Sequence, residues 1–280
     1  MFRVISLLFV LVCFVFALPA EKEKESLYNS LDKTDDQTKN TLKQIVESSY
    51  NIQAHNTNYF LPISYNYNGE YQDTNGHNAK TTETEFQFSL KYNIGADLFG
   101  LKEIYSVAYT QKSFWQLYTS SAYFRETNYN PEFFLTFPMA LDADRHGLKA
   151  IKLSFAHQSN GRGSDEERSW NYLSGSFIFQ YDYLFTELKL WTSWKSALEY
   201  NPDLLDYLGY GSVKFIVPYK KNLFSFKVNS KGTIESNYSY PISSREDLFL
   251  YVKVFSGYGE SLIDYDNYIN KVGIGFSISR

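Results

Sequence analysis

The chain has 280 residues, a formal net charge of −4 and one cysteine. A single cysteine excludes disulfide frameworks, CXXC zinc sites and redox pairs, and the mildly acidic balance argues against a nucleic-acid partner.

Residues 1–20, "MFRVISLLFVLVCFVFALPA", carry one positive charge, a long apolar run and then small residues. That is the pattern of a secretory signal peptide, with cleavage expected after Ala17 or Ala20. The alternative is a retained membrane anchor, but the run meets the polar "EKEKES" with no basic stop-transfer flank. Cys13 lies inside the run, and Val12 before it is a poor fit to a lipoprotein signal, so the mature chain is expected to contain no cysteine. Residues 21–57 are polar and charged, with a weak helical pattern in "TLKQIVESS", and read as a periplasmic extension or partial plug.

From Tyr59 onward the dominant period is two. Twelve strands are predicted at roughly 59–68, 82–94, 104–117, 128–138, 149–157, 169–181, 185–197, 206–218, 223–229, 231–239, 247–256 and 270–279. Most have the roughly 9–11 residues of a tilted membrane strand, and no later stretch reaches the roughly 18 apolar residues of a membrane helix. Short turns such as "PYKKN" and "NSKGT" alternate with longer gaps near 69–81, 118–127, 158–168, 198–205 and 257–269. Long connections on one side, short turns on the other and aromatic girdles at both interfaces characterise outer-membrane barrels; the 25 Tyr and 23 Phe would supply the girdles. The expectation is an all-β protein, a twelve-stranded antiparallel transmembrane β-barrel over 58–280. A soluble β-sandwich shares the alternation without explaining the signal peptide. With a periplasmic N-terminus, strand five runs outward, and the 158–168 loop is extracellular.

Parity then places the polar residues of "KLSFAHQSNGRGSDEERSWN". Successive strand side chains point to opposite faces. Ile151, Leu153 and Phe155 share a face with His157, and Ser159 continues that row. On the next strand Leu173, Phe177 and Phe179 share parity with Asn171. All three polar residues therefore belong to the lipid-facing wall. A serine hydroxyl becomes a nucleophile when a neighbouring base takes its proton, and histidine is the usual base. Asn171 would orient the imidazole through its other nitrogen, and a neutral amide is less costly to desolvate beside lipid than a carboxylate. H-x-S taken alone is a weak signal, and an interfacial histidine is the ordinary alternative.

"HQSNGR" followed by "RSWN" resembles the outer-membrane phospholipase A family, and so do "YTQKSFWQL", "FRETNYNPEFFL", "NPD" with "YLGYG", and "FSGYGESLIDY". The likeness covers about residues 58 to 278. It implies an outer-membrane phospholipase with A1 and A2 regiochemistry that also accepts lysophospholipids, and a barrel that is active as a calcium-dependent homodimer. By position it makes Ser159 the nucleophile, His157 the general base, Asn171 the orienting member and the Gly161 N–H the oxyanion donor. It matches the Arg162 carbonyl to a calcium ligand, and Ser121 to the ligand given by the partner subunit. Glu167 stands where the family has a serine ligand, and the chain ends "GFSISR" where an aromatic is usual, leaving Phe276 as the substitute. The likeness also places Gln111, which strand parity turns outward with Tyr109 and Trp115, in the subunit contact. The acidic "SDEER" (164–168) reads as part of the calcium site. His55, His77 and His146 have no metal spacing and read as surface or loop residues. "GYGES" reads as a loop, since it lacks the spacing of a nucleophile elbow. The competing function is a non-catalytic barrel, a narrow pore or adhesin.

Overall fold

The computed structural model describes residues 52–71, 79–139 and 146–280. The stretch expected to be a signal peptide, most of the expected polar extension and His77 lie outside the described residues. Among those described, the strands are β1 (Ile52–Ala54), β2 (Tyr59–Asn66), β3 (Thr82–Ala96), β4 (Ile104–Gln116), β5 (Tyr123–Pro138), β6 (His146–Ser159), β7 (Ser169–Tyr181), β8 (Leu184–Thr192), β9 (Gly211–Tyr219), β10 (Asn222–Asn229), β11 (Ile234–Pro241), β12 (Phe249–Gly257) and β13 (Ile269–Ser277). β1 and β2 lie end to end against β3, Ile52 opposite Tyr92 and Tyr59 opposite Gln87, so together they make one stave. All pairings are antiparallel between neighbours, and β13 returns to β2 to close a twelve-stave barrel.

The alternation sorts side chains as expected. Leu153, Phe155, Leu190, Phe224, Val254, Ile274 and Phe276 stand exposed on the outer wall, while Glu83, Glu85, Lys253 and Lys271 are buried inside. No helix among the described residues is long and apolar enough to cross a membrane. The upper lumen is filled by ion pairs. Arg125 meets Glu83 at 3.0 Å and also Asp264; Lys271 meets Glu83 and Glu85 at 2.9 Å each; Lys112 and Lys253 both meet Glu260. Removing one member would leave a buried charge uncompensated, at a cost of about 3–5 kcal/mol. A lumen crossed in this way leaves little room for a wide channel.

Three expectations are corrected. Among the described residues the wall begins at Ile52, inside the stretch assigned to the polar extension, because Ile52–Ala54 already pairs with β3. The strands predicted at 185–197 and 206–218 are shorter: β8 ends at Thr192 and β9 begins at Gly211. Between them lie a 3₁₀ turn (Lys195–Leu198) and a short helix, α1 (Leu204–Leu208). Their apolar residues pack in another direction, Leu204 and Leu205 joining Ala156, Trp170, Tyr172, Leu262 and Tyr265 in a buried cluster over the long-loop end. In this cap Tyr265 bonds Asp203, and burial together with that bond pushes its hydroxyl well above the ordinary tyrosine value. Finally, His55 is no surface residue. It occupies the break between β1 and β2, with Nε2 at 2.8 Å from Glu132 and the ring stacked on Phe134 at 5.1 Å. His146 opens β6.

Candidate active site

β6 and β7 run antiparallel in a register that sets His157 opposite Asn171 and Ser159 opposite Ser169. The pairing puts the imidazole beside the carboxamide, with His157 Nδ1 at 2.9 Å from Asn171 Oδ1. A carbonyl oxygen can only accept, so Nδ1 is the donor; in the neutral ring this tautomer leaves the Nε2 lone pair for a general base. Ser159 lies two positions along the same face. The imidazole contacts Asn171, and contacts between a nucleophile and its base often tighten only when substrate is bound. The surroundings are apolar: Leu153, Phe155 and Leu173 are 48%, 45% and 51% exposed on the same wall, and Trp194 stacks on Phe155 at 6.4 Å.

The backbone under these residues is held by side chains that sequence reasoning did not single out. Ser193 donates to the Asn171 carbonyl at 2.6 Å, Asn130 to the His157 carbonyl at 2.8 Å, and the Ser169 N–H donates to buried Asn201 at 2.9 Å. Asn130 and Asn201 sit in "NYNPE" and "NPD", so the signal was present without a role attached to it.

The 160–168 connection is organised by Asn160. Its side-chain oxygen accepts from the N–H groups of Arg162 and Arg168 at 3.3 and 3.0 Å, and its amide donates to the Glu166 carbonyl at 2.8 Å. Gly161 sits at φ +68°, and a Cβ there would stand 3.0 Å from the Tyr129 ring. Both the left-handed backbone and the close ring favour glycine.

The residues matched to calcium ligands are only partly assembled within one chain. Arg162 and Glu167 share this connection, whereas Ser121 is exposed in the separate 117–122 connection. Among the described residues no group of three His, Cys, Asp or Glu side chains would hold a metal. The Arg162 carbonyl and Glu167 carboxylate are nonetheless hard oxygen donors suited to calcium, which takes about 6–8 such ligands. The set fits if water and a second subunit supply the rest. Gln111 faces outward as expected, but not as an isolated amide: it accepts from Tyr109 at 3.1 Å and donates to Ser113 at 3.3 Å.

Residues 35–278 match the family model for phospholipase A1. The chain belongs to the phospholipase A1 family. Within the family, the Klebsiella pneumoniae phospholipase A1 is 36% identical over 209 residues, 72% of each chain. The outer membrane phospholipase A from Escherichia coli superposes with a TM-score of 0.75 at 31% identity, covering 82% of this chain and 99% of that one. A Salmonella typhi outer membrane phospholipase dimer with bound calcium gives 0.74 at 31% identity, covering 85% and 96%. Family and fold together make this a bacterial outer-membrane β-barrel of the phospholipase class.

Proposed function

We propose that the chain is a calcium-dependent phospholipase that cleaves both acyl esters of membrane phospholipids, and those of lysophospholipids, with a Ser159–His157–Asn171 triad. The observation that carries this is the 2.9 Å contact between His157 Nδ1 and Asn171 Oδ1, on the lipid-facing wall and in line with Ser159. A site facing outward near the outer leaflet meets phospholipid esters rather than soluble metabolites.

His157 Nε2 takes the Ser159 proton as the hydroxyl oxygen attacks the ester carbonyl carbon. The Gly161 N–H donates to the oxygen that becomes negative. The imidazolium, steadied by Asn171, then protonates the leaving alkoxide, and a water activated by the same nitrogen releases the fatty acid. The Arg162 carbonyl and Glu167 of one subunit, with Ser121 of the other, would hold calcium, which would supply positive charge that stabilises the negative oxygen. The active form is then a homodimer, a reading that the calcium-bound dimer of the Salmonella typhi relative supports, and Gln111 is assigned to its contact on strand parity and position. Residues 1–20 direct export and 21–51 remain periplasmic.

The test is hydrolysis of phosphatidylcholine by detergent-refolded protein with and without calcium. The expected result is calcium-dependent release of fatty acid from both positions, and a loss on the order of 10⁶ in turnover for Ser159→Ala. No release by the wild type, or substantial release by a folded Ser159→Ala, would reject the assignment.

A further inference from the structure

The Gly161 N–H and the Arg162 carbonyl sit in "NGRGS", between two glycines. Glycine restricts its backbone less than any other residue, so this short arch does not hold its own shape. Asn160 ties its ends together, but those bonds lie within the connection and do not attach it to the barrel. The Arg162 side chain makes that attachment. Its Nε is 3.2 Å from Glu126 Oε2, and its other nitrogens reach the Arg125 carbonyl and Glu166.

Arg162 thus meets two carboxylates, one of them, Glu166, on its own connection. Glu126 belongs to β5 and is 1% exposed. It is held in turn: Asn128 Nδ2 donates to Glu126 Oε1 at 2.6 Å, and Asn128 Oδ1 accepts from the Leu262 N–H at 3.0 Å. A continuous path therefore runs from the 258–268 connection through Asn128 and Glu126 to the arch beside Ser159.

We propose that Glu126 is a positioning residue: through Arg162 it holds the Gly161 amide and the Arg162 carbonyl in the orientation that hydrolysis requires. This rests on the function proposed above. Glu126 touches no reacting atom. A misplacement of about 1 Å in a positioning element can cost on the order of 10²-fold in rate, so a single carboxylate remote from the ester would matter to turnover.

The test uses Glu126→Gln, which keeps the size and the bond from Asn128 but removes the charge facing Arg162. Refolded wild type and variant are treated with trypsin in calcium-free detergent, and cleavage after Arg162 is located by mass spectrometry. A connection held less firmly opens more often to protease. Expected are about tenfold faster cleavage and about tenfold lower kcat with KM unchanged; Glu126→Asp, which retains the charge, should recover part of both. If Glu126→Gln does not refold, Glu126→Asp carries the same comparison with smaller shifts in the same directions. Unchanged cleavage after Arg162 would overturn the proposal whether or not the protein turns over, and so would an unchanged kcat in a folded variant. A wild type without calcium-dependent hydrolysis, alongside a variant cut faster, would overturn the function and leave the attachment supported.

Discussion

Replacing Asn171 with alanine deletes the acceptor at 2.9 Å from His157 Nδ1 and leaves the surrounding wall in place. The backbone at 171 remains paired with 157, and Ser193 still grips its carbonyl. What is lost is one hydrogen bond, to a ring that becomes positively charged as Ser159 gives up its proton. Hydrogen bonds to charged groups contribute about 1.5–3 kcal/mol. At about 1.36 kcal/mol per decade, kcat should fall about 10- to 150-fold, far less than the roughly 10⁶ expected when the nucleophile itself is removed. KM should hardly move, since the bond strengthens in the transition state rather than on binding. The assay is initial-rate hydrolysis of phosphatidylcholine in mixed micelles at saturating calcium, with heat-modifiable gel mobility confirming the fold. A loss equal to that of Ser159→Ala would show that Asn171 does more than orient the ring. No loss at all would remove it from the triad.

Glu167→Gln should raise the calcium concentration for half-maximal hydrolysis, because one negative charge fewer attracts a hard divalent cation less; an unchanged calcium curve would place Glu167 outside the site. Gln111→Ala should weaken dimerisation, followed by sedimentation in detergent, towards the low end of the roughly 0.6–2 kcal/mol measured for polar contacts between membrane segments, because Tyr109 and Ser113 already satisfy the amide. A dimer unaffected by this change would take Gln111 out of the interface. Leu204→Ala should destabilise the cap by about 2–5 kcal/mol, since Leu204 is wholly buried, and lower the temperature at which heat-modifiable mobility is lost; an unshifted temperature would mean that the cap does not limit stability.

Much of the wall was legible because a period of two leaves few alternatives. "KLSFAHQS" and "SWNYLSGSF" fixed which side chains face lipid, and the pairing of His157 with Asn171 follows from two strands joined by a nine-residue connection. The 193–210 connection was harder to read. Leu208 looks like a strand residue, and Leu204 and Leu205 like loop residues, until their partners Trp170, Leu262 and Tyr265 are known. For His55 the loop position was legible in "QAHNTN", but its burial comes from Glu132 and Phe134, far away in sequence. Glu83 and Glu85 lie two apart in β3, while Lys253 and Lys271 lie about 170–190 positions further on. No local pattern can announce such pairs. Arg162 was singled out for its carbonyl, while its side chain carries the contact with Glu126.

The same ion pairs have a consequence for how the barrel closes. The acids Glu83 and Glu85 sit near the N-terminal edge of the sheet, and their cations Lys253 and Lys271 on the last two strands to emerge during synthesis. While the sheet is still open, both sets are hydrated and tolerate each other's absence. Once β13 meets β2, each charge must find its counterpart or remain without water. A slip of one residue at that seam would send Lys271 to the lipid side and Ile274 to the interior, since a one-residue shift reverses every side chain. A misaligned closure would therefore leave each of these charges without its counterpart, at a cost of about 3–5 kcal/mol for each broken pair.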